Sequence, residues 1–147
     1  MREPYQILSI PYRIINGTPL FCIFRRSDSN CWQFIAGGGE NGETPIEAAK
    51  RETIEEFGVE PKNIMQLTCI AYVPAEVIAE SRRQHWDKNI YVIPEYSFAF
   101  ECDSDPTLSL EHIEHKWLTY DKALKLLKWD SNKVAMYEIK CRLENKK

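Results

Sequence analysis

The sequence has no apolar run close to the roughly 20 residues that a membrane-spanning helix needs. Its first ten residues, MREPYQILSI, are interrupted by Pro4 and mix polar with apolar residues, unlike a secretion signal. The five cysteines are scattered and form no CxxC pair, which argues against a zinc site and favours reduced thiols. These absences predict a cytoplasmic protein without a membrane partner.

An excess of positive charge is also lacking. Lys and Arg number 19 against 22 Asp and Glu, which gives a net charge of −3. Because no basic stripe is present, we expect no nucleic-acid partner. The length of 147 residues and the apolar fraction of 44% suit one domain with a proper core, spanning residues 1–147. The oligomeric state stays open, and a homodimer is compatible with the sequence.

Turn residues and apolar periodicity predict an alternation of strands and helices. Residues 37–42 are predicted to form a glycine loop, and residues 80–95 a long irregular loop. This order favours an α/β sandwich with a mixed sheet. The predicted strands are 6–15, 20–24, 32–36, 65–73, 96–101 and 113–118, and the predicted helices are 45–57, 122–127 and 132–143.

The helix over residues 45–57 has the clearest boundary signals. Thr44 suits the N-cap, Pro45 suits the first helical position, and Glu47 completes a capping box with Thr44. Gly58 suits the C-terminal cap. These local signals predict both ends of the helix.

Three carboxylates share one side of this helix. At about 100° per residue, Glu52, Glu55 and Glu56 fall within an arc of roughly 100°. We expect no Lys or Arg to pair with them at the i,i+4 spacing, so the acids would repel one another. A solvated acidic face is the ordinary explanation. Carboxylates beside a glycine loop also suit Mg²⁺ bound together with substrate phosphates.

The spacing of these residues resembles the Nudix box. Gly37, Glu43 and the segment 51–59 fill its fixed positions, with Thr53 where an aliphatic residue is usual. The resemblance implies the Nudix fold, an α/β/α sandwich with a mixed β-sheet, over the whole chain. It also implies Mg²⁺-dependent or Mn²⁺-dependent hydrolysis of a nucleoside diphosphate linked to another group.

The resemblance also implies the metal ligands. Glu52, Glu55 and Glu56 are the expected carboxylate ligands, and the carbonyl of Ala36 would replace a glycine carbonyl that often binds metal. Glu55 or Glu56 is also a candidate general base. A base from another loop is an alternative, since metal would occupy both carboxylates.

Glu43 and Arg51 match the family's ion pair that ties the loop to the helix and orients the catalytic carboxylates. The alternative is a surface pair that contributes only ~0–1 kcal/mol.

Two further segments resemble a Nudix subgroup. The Glu111-His112 pair with the later Trp117-Leu118 resembles an element of hydrolases acting on diadenosine tetraphosphate or dihydroneopterin triphosphate. Glu111 would then be a further metal ligand or the base, whereas its ordinary alternative is a surface glutamate. The segment 129–132 (WDSN) resembles the dihydroneopterin triphosphate pyrophosphatase group, also labelled dATP pyrophosphohydrolases.

Four residues are expected to bind the substrate. Trp129 and Asn132 come from that WDSN segment, although Trp129 could instead be a core residue, with Asn132 or Ser131 as a helix cap. Arg25 and Arg26, after the second predicted strand, are candidate phosphate donors.

The sequence therefore predicts a Mg²⁺-dependent pyrophosphohydrolase of a small-molecule nucleoside or pterin triphosphate, with the monophosphate and pyrophosphate as products. A dinucleoside polyphosphate hydrolase is the nearest alternative. A Nudix module that binds a nucleotide without cleaving it is a further one, although such modules usually lose a carboxylate of the box.

Overall fold

The computed structural model describes residues 1–107 and 109–145. Within them, no helix is long and apolar enough to cross a membrane. A 3₁₀ helix covers Ala75–Val77. The strands are β1 Arg2–Ile15, β2 Thr18–Arg26, β3 Trp32–Gln33, β4 Ile35–Glu40, β5 Met65–Pro74, β6 Val92–Glu101 and β7 His112–Thr119, and the helices are α1 Pro45–Phe57, α2 Glu80–Arg83, α3 Tyr120–Leu126 and α4 Asp130–Glu144.

The strands form one mixed sheet. Its order is β3-β2-β1-β6-β5, and β4 also pairs with β1 while β7 also pairs with β2. The β1–β6 pair is parallel, and the other pairs are antiparallel. Alternate residues of β1 face opposite sides. Ile7 packs with α1, whereas Leu8 packs with α3 and α4, so the predicted α/β/α sandwich is confirmed.

The glycine-rich segment is a strand, not the loop that we predicted. Residues 37–39 belong to β4, where Gly37 and Gly38 pair with Ile7 and Gln6 of β1. A Cβ on any of them would overlap a neighbouring side chain, so the glycines make room for those neighbours rather than for a turn. The turn itself is short, and Gly42 adopts the left-handed conformation there with φ 81°. The side chains packed against the three glycines are, in order, Glu52, Arg2 and Tyr5.

The predicted loop over residues 80–95 was also partly wrong. Residues 80–83 form α2, and β6 begins at Val92. Ile93 is fully buried, and the 3₁₀ helix and the following segment cover it through Ala75 and Ile78. This cover comes from residues that are distant along the chain, so local composition did not reveal the strand.

Helix α1 has the predicted bounds. Both hydrogen bonds of the Thr44–Glu47 capping box form, and Gly58 ends the helix with φ 83°. Thr53, which departs from the family pattern, is fully buried. Its hydroxyl lies 2.7 Å from the hydroxyl of Ser9 on β1 and donates to the Ala49 carbonyl at 2.7 Å. The hydroxyl at this core position is therefore satisfied by a partner on the sheet.

This pairing predicts a non-additive pair of substitutions. Thr53→Val leaves the buried Ser9 hydroxyl without its partner, which we expect to cost about 1–3 kcal/mol of unfolding free energy. Ser9→Ala should cost less, because Thr53 retains the Ala49 carbonyl. The double variant should lie close to the wild type in urea unfolding, since both hydroxyls are gone. Strictly additive losses would contradict this account of Thr53.

Candidate active site

Arg51 connects helix α1 to the strand and turn that precede it. Its guanidinium donates to both carboxylate oxygens of Glu43, at 2.8 and 3.0 Å, and to the carbonyl of Gly38 at 2.8 Å. Glu43 also accepts from the Glu40 backbone N–H at 2.8 Å. Hydrogen bonding from Arg51 holds the pKa of Glu43 below its usual value. The predicted ion pair is present, and it extends to the backbone of β4.

Arg51 also corrects our expectation that the helix acids lack a basic partner. Its Nη1 lies 3.0 Å from Glu52 Oε1 and 3.2 Å from both carboxylate oxygens of Glu55. Arg51 precedes Glu55 by four residues, which is the spacing of a helical ion pair. A single guanidinium therefore contacts three carboxylates.

Glu52 packs against the backbone of β4. A side chain at Gly37 would overlap its carboxyl group, and only 13% of the Glu52 side chain is exposed. Burial raises the pKa of Glu52 to about 7, against the effect of Arg51 and with a smaller contribution from the charges of Glu55 and Glu56. The contact with Arg51 therefore only partly offsets the burial of this carboxyl group, and a bound cation would add further positive charge beside it.

Glu56 is held from the opposite side by the segment before β7. Ser109 donates to Glu56 Oε2 at 2.5 Å, and the buried His112 places Nδ1 at 3.2 Å from the same oxygen. Burial raises the pKa of Glu56, but the interactions with His112 and Ser109 outweigh it and leave the pKa below its usual value. Glu56 is therefore kept as a carboxylate.

Glu111 lies close to Glu56, as its place in the sequence motif suggested. Burial raises the pKa of Glu111, and the negative charge of the adjacent Glu56 adds to the shift. Ser27, which directly follows β2, holds the backbone of Glu111 in place, since its N–H donates to the Glu111 carbonyl at 2.9 Å. Two neighbouring carboxyl groups of this kind suit either a shared proton or a divalent cation.

The donor set fits a hard cation. Over residues 1–107 and 109–145, no three acidic, His or Cys side chains converge as a metal site, and Arg51, Ser109 and His112 engage the carboxylates. The available donors are all oxygens, however, and the missing side chain at Gly37 lets the Glu52 carboxyl group lie against the backbone of β4. Oxygen donors suit Mg²⁺ and Mn²⁺. The acidic cluster is Glu52, Glu55, Glu56 and Glu111.

Strand β4 separates this cluster from a cavity of about 510 Å³ on the α4 side of the sheet. Successive strand residues face opposite sides, so Gly37 faces Glu52 while Ala36 lines the cavity. The carbonyl of Ala36 belongs to the same peptide unit as the nitrogen of Gly37. That carbonyl is therefore next to the backbone against which Glu52 packs.

Three residues of the WDSN segment, Trp129, Ser131 and Asn132, line the cavity, but none has the alternative role that we considered. Trp129 is 48% exposed, so it is not a core residue, and its Nε1 donates to Gln33 at 3.2 Å. Helix α4 begins at Asp130 rather than 132, so Asn132 lies within its first turn. The Asn132 side chain accepts from the Phe34 N–H at 2.8 Å and thereby fastens the helix to the sheet.

The two arginines at the end of β2 differ in placement. Arg26 lines the cavity and pairs with Asp28 at 2.8 Å. This hydrogen bond raises the pKa of Arg26, and the charges of Glu111 and Glu56 add to the effect. Arg25 instead pairs with Glu114 at 2.8 Å and does not line the cavity. Arg26 thus lines the cavity and is close enough to Glu111 and Glu56 for their charges to act on it.

Sequence reasoning missed two residues of the site. The hydrogen bond from Ser109 to Glu56 depends on how the 109–111 segment packs against α1, which local sequence does not show. Glu95 was overlooked inside a segment predicted to be a loop, although it is only 5% exposed and lines the cavity. The available signal was an acid at the inward position of an otherwise apolar strand.

Comparisons with known proteins identify the family of this chain. A family model of the NUDIX domain matches residues 13–138. The dihydroneopterin triphosphate diphosphatase of Escherichia coli K12 is 29% identical over 92% of this chain and 91% of its own. The RNA pyrophosphohydrolase of Baumannia cicadellinicola is 31% identical over 71% of this chain and 70% of its own. A solved NUDIX hydrolase from Listeria monocytogenes superimposes with a TM-score of 0.81 and 42% identity, over 97% and 96% of the two chains.

The protein belongs to the Nudix family and is a hydrolase of that family.

The position of Arg51 predicts a specific loss of activity. Lys cannot reproduce the forked contacts to Glu43, Gly38 and Glu52, so Arg51→Lys should lower kcat/KM by about 10- to 100-fold. The measurement uses the best-cleaved compound of the panel described below. Arg142→Lys is the matched control, because Arg142 makes comparable contacts to Glu138 and Thr68 on the far side of the sheet. Equal losses in both variants would contradict a role for Arg51 in the site.

Proposed function

We propose that the protein is a Mg²⁺-dependent pyrophosphohydrolase that converts a nucleoside or pterin triphosphate to its monophosphate and pyrophosphate. The main support is the placement of a cavity and an acidic cluster on either side of β4, with Arg26 lining the cavity and close enough to Glu111 and Glu56 for their charges to act on it. A volume of about 510 Å³ lies in the range of small-molecule sites. The cavity would hold the ring system, and the phosphates would extend past Arg26 to the cluster.

Different residues of the chain would bind the cation and position its carboxylate ligands. Glu52, Glu55, Glu56 and the carbonyl of Ala36 would hold the cation, which when bound neutralises phosphate charge and activates water for attack. Arg51 and Glu43 fix the carboxylates on one side of α1.

Glu111 is the residue that we assign as general base. Burial and the neighbouring Glu56 raise its pKa, which makes it a stronger base toward the attacking water than an exposed glutamate. Glu56, whose pKa is lowered, is better suited to bind the cation as a carboxylate. Arg26 can turn from Asp28 to a phosphate oxygen, since both pairings use the same guanidinium N–H groups.

We favour a small triphosphate over an RNA end for two reasons. The E. coli relative named for a pterin triphosphate aligns over nearly the whole of both chains. The net charge of −3 also gives no general attraction for a polyanionic strand. The bond cleaved distinguishes the dinucleoside polyphosphate alternative, because that substrate releases a nucleotide rather than pyrophosphate.

A substrate panel tests the proposal. With Mg²⁺, we expect pyrophosphate from dihydroneopterin triphosphate or a purine deoxynucleoside triphosphate at least tenfold faster than ATP from diadenosine tetraphosphate or pyrophosphate from 5′-triphosphorylated RNA. Chromatography of the products with phosphate quantification gives the rates. Folded protein that turns over none of the triphosphates, or that prefers either alternative substrate, would refute it.

The assignment of the metal ligands predicts an effect of Mg²⁺ on thermal stability as well as on activity. Mg²⁺ should raise the Tm of the wild type, because it binds the native cluster and not the unfolded chain. Glu55→Gln removes one charge from a half-exposed position, so it should fold normally but shift less with Mg²⁺ and lose turnover about 10²-fold or more. Glu60→Gln, an exposed change just beyond the helix, is the control. A Glu55→Gln protein with the full Mg²⁺ shift and full turnover would remove Glu55 from the site.

A further inference from the structure

Glu95 is a buried acid that the acidic cluster does not use. It lies on β6 opposite Gln6 of β1, is 5% exposed and lines the cavity. Within the described residues, its Oε1 has no hydrogen-bond partner. Burial raises the pKa of Glu95, and the Ser131 hydroxyl only partly offsets this. A buried acceptor of this kind is costly unless something supplies an N–H or O–H group.

The position of Glu95 excludes a role in binding the metal. On the same strand, Tyr96 and Phe98 face the same side of the sheet and pack with Ala48 and Ala49 of α1, the side of the acidic cluster. Glu95 lies an odd number of residues from Phe98, so it points to the opposite face, where Ala99 packs beneath α4. The sheet therefore separates Glu95 from the carboxylates of α1.

The cavity wall around Glu95 suits a planar, uncharged ring better than a charged ligand. Arg26, the cation of the cavity wall, already pairs with Asp28, and the remaining wall near Glu95 includes the apolar Leu8 and Val73. The half-exposed Trp129 supplies an aromatic surface. Because the last torsion of a glutamate is broad, either carboxyl oxygen can turn toward such a ligand.

The chemistry of a carboxylate selects one type of ring edge. Two acceptor oxygens side by side match two adjacent N–H donors. Guanine presents that pair as its ring N–H and exocyclic amino group, and a pterin presents the same pair. Adenine and cytosine place a ring acceptor beside the amino group, and hypoxanthine lacks the amino group.

We propose that Glu95 determines substrate specificity by accepting two N–H hydrogen bonds from the amide and amino edge that guanine and pterin share. This inference rests on the proposed function, because it takes the cavity as the site of the substrate's ring. It identifies the ring class within the broader group of triphosphates.

The first experiment compares dGTP with dITP, which differs only by the missing amino group. Wild-type kcat/KM should be about tenfold or more higher for dGTP, mainly through KM, because dITP leaves one acceptor of Glu95 unpaired. Glu95→Gln replaces one acceptor by a donor, so this dGTP:dITP ratio should fall to near one. Glu101→Gln, an exposed change on the same strand, should keep the wild-type ratio. A wild-type ratio near one, or a ratio that Glu95→Gln leaves intact, overturns the proposal.

A second measurement separates this proposal from the proposed function. Calorimetric titration with guanosine, inosine and neopterin needs no hydrolysis, so it applies even if no triphosphate is cleaved. Guanosine and neopterin should bind several-fold more tightly than inosine to the wild type. If Glu95→Gln fails to fold, the wild-type ratios decide alone. Equal affinities, or no binding of any of the three compounds, would contradict the proposal that Glu95 recognises the ring edge.

Discussion

The site depends on one guanidinium. Arg51 donates simultaneously to Glu43, to the Gly38 carbonyl and to the carboxylates of Glu52 and Glu55. A planar fork with five donors can do this, whereas a single ammonium cannot. The contacts lock α1 to β4, and they keep like charges together that would otherwise repel. The acidic cluster thus owes its shape to a cation that belongs to the protein.

Strand β4 lies between the acidic cluster and the cavity. The absence of a side chain at Gly37 lets Glu52 approach the backbone, while Ala36 faces the cavity beneath α4. One peptide unit therefore adjoins both the acidic cluster and the cavity. The nucleoside or pterin triphosphate that we propose as substrate would use both regions, one for its ring and one for its phosphates. Because successive residues of a β-strand face opposite sides of the sheet, the neighbours Ala36 and Gly37 adjoin the two regions.

Local spacing predicted much of the fold and part of the site. The bounds of α1, its capping box and the Glu43–Arg51 pair all depend on residues within one helix and its leading turn. Prediction failed where the deciding contacts are distant in sequence. Residues 37–39 were taken for a loop because glycine signals turns, yet the side chains packed on them come from β1 and α1.

The sequence by itself determined that three acids share one side of a helix, because an α-helix turns by a fixed angle per residue. It also placed Arg51 within reach of Glu43. Only the tertiary structure decided that Glu111 meets Glu56 and that Glu95 lies buried against the cavity. Those contacts join segments dozens of residues apart, and strand pairing together with burial of the two sheet faces brings them together.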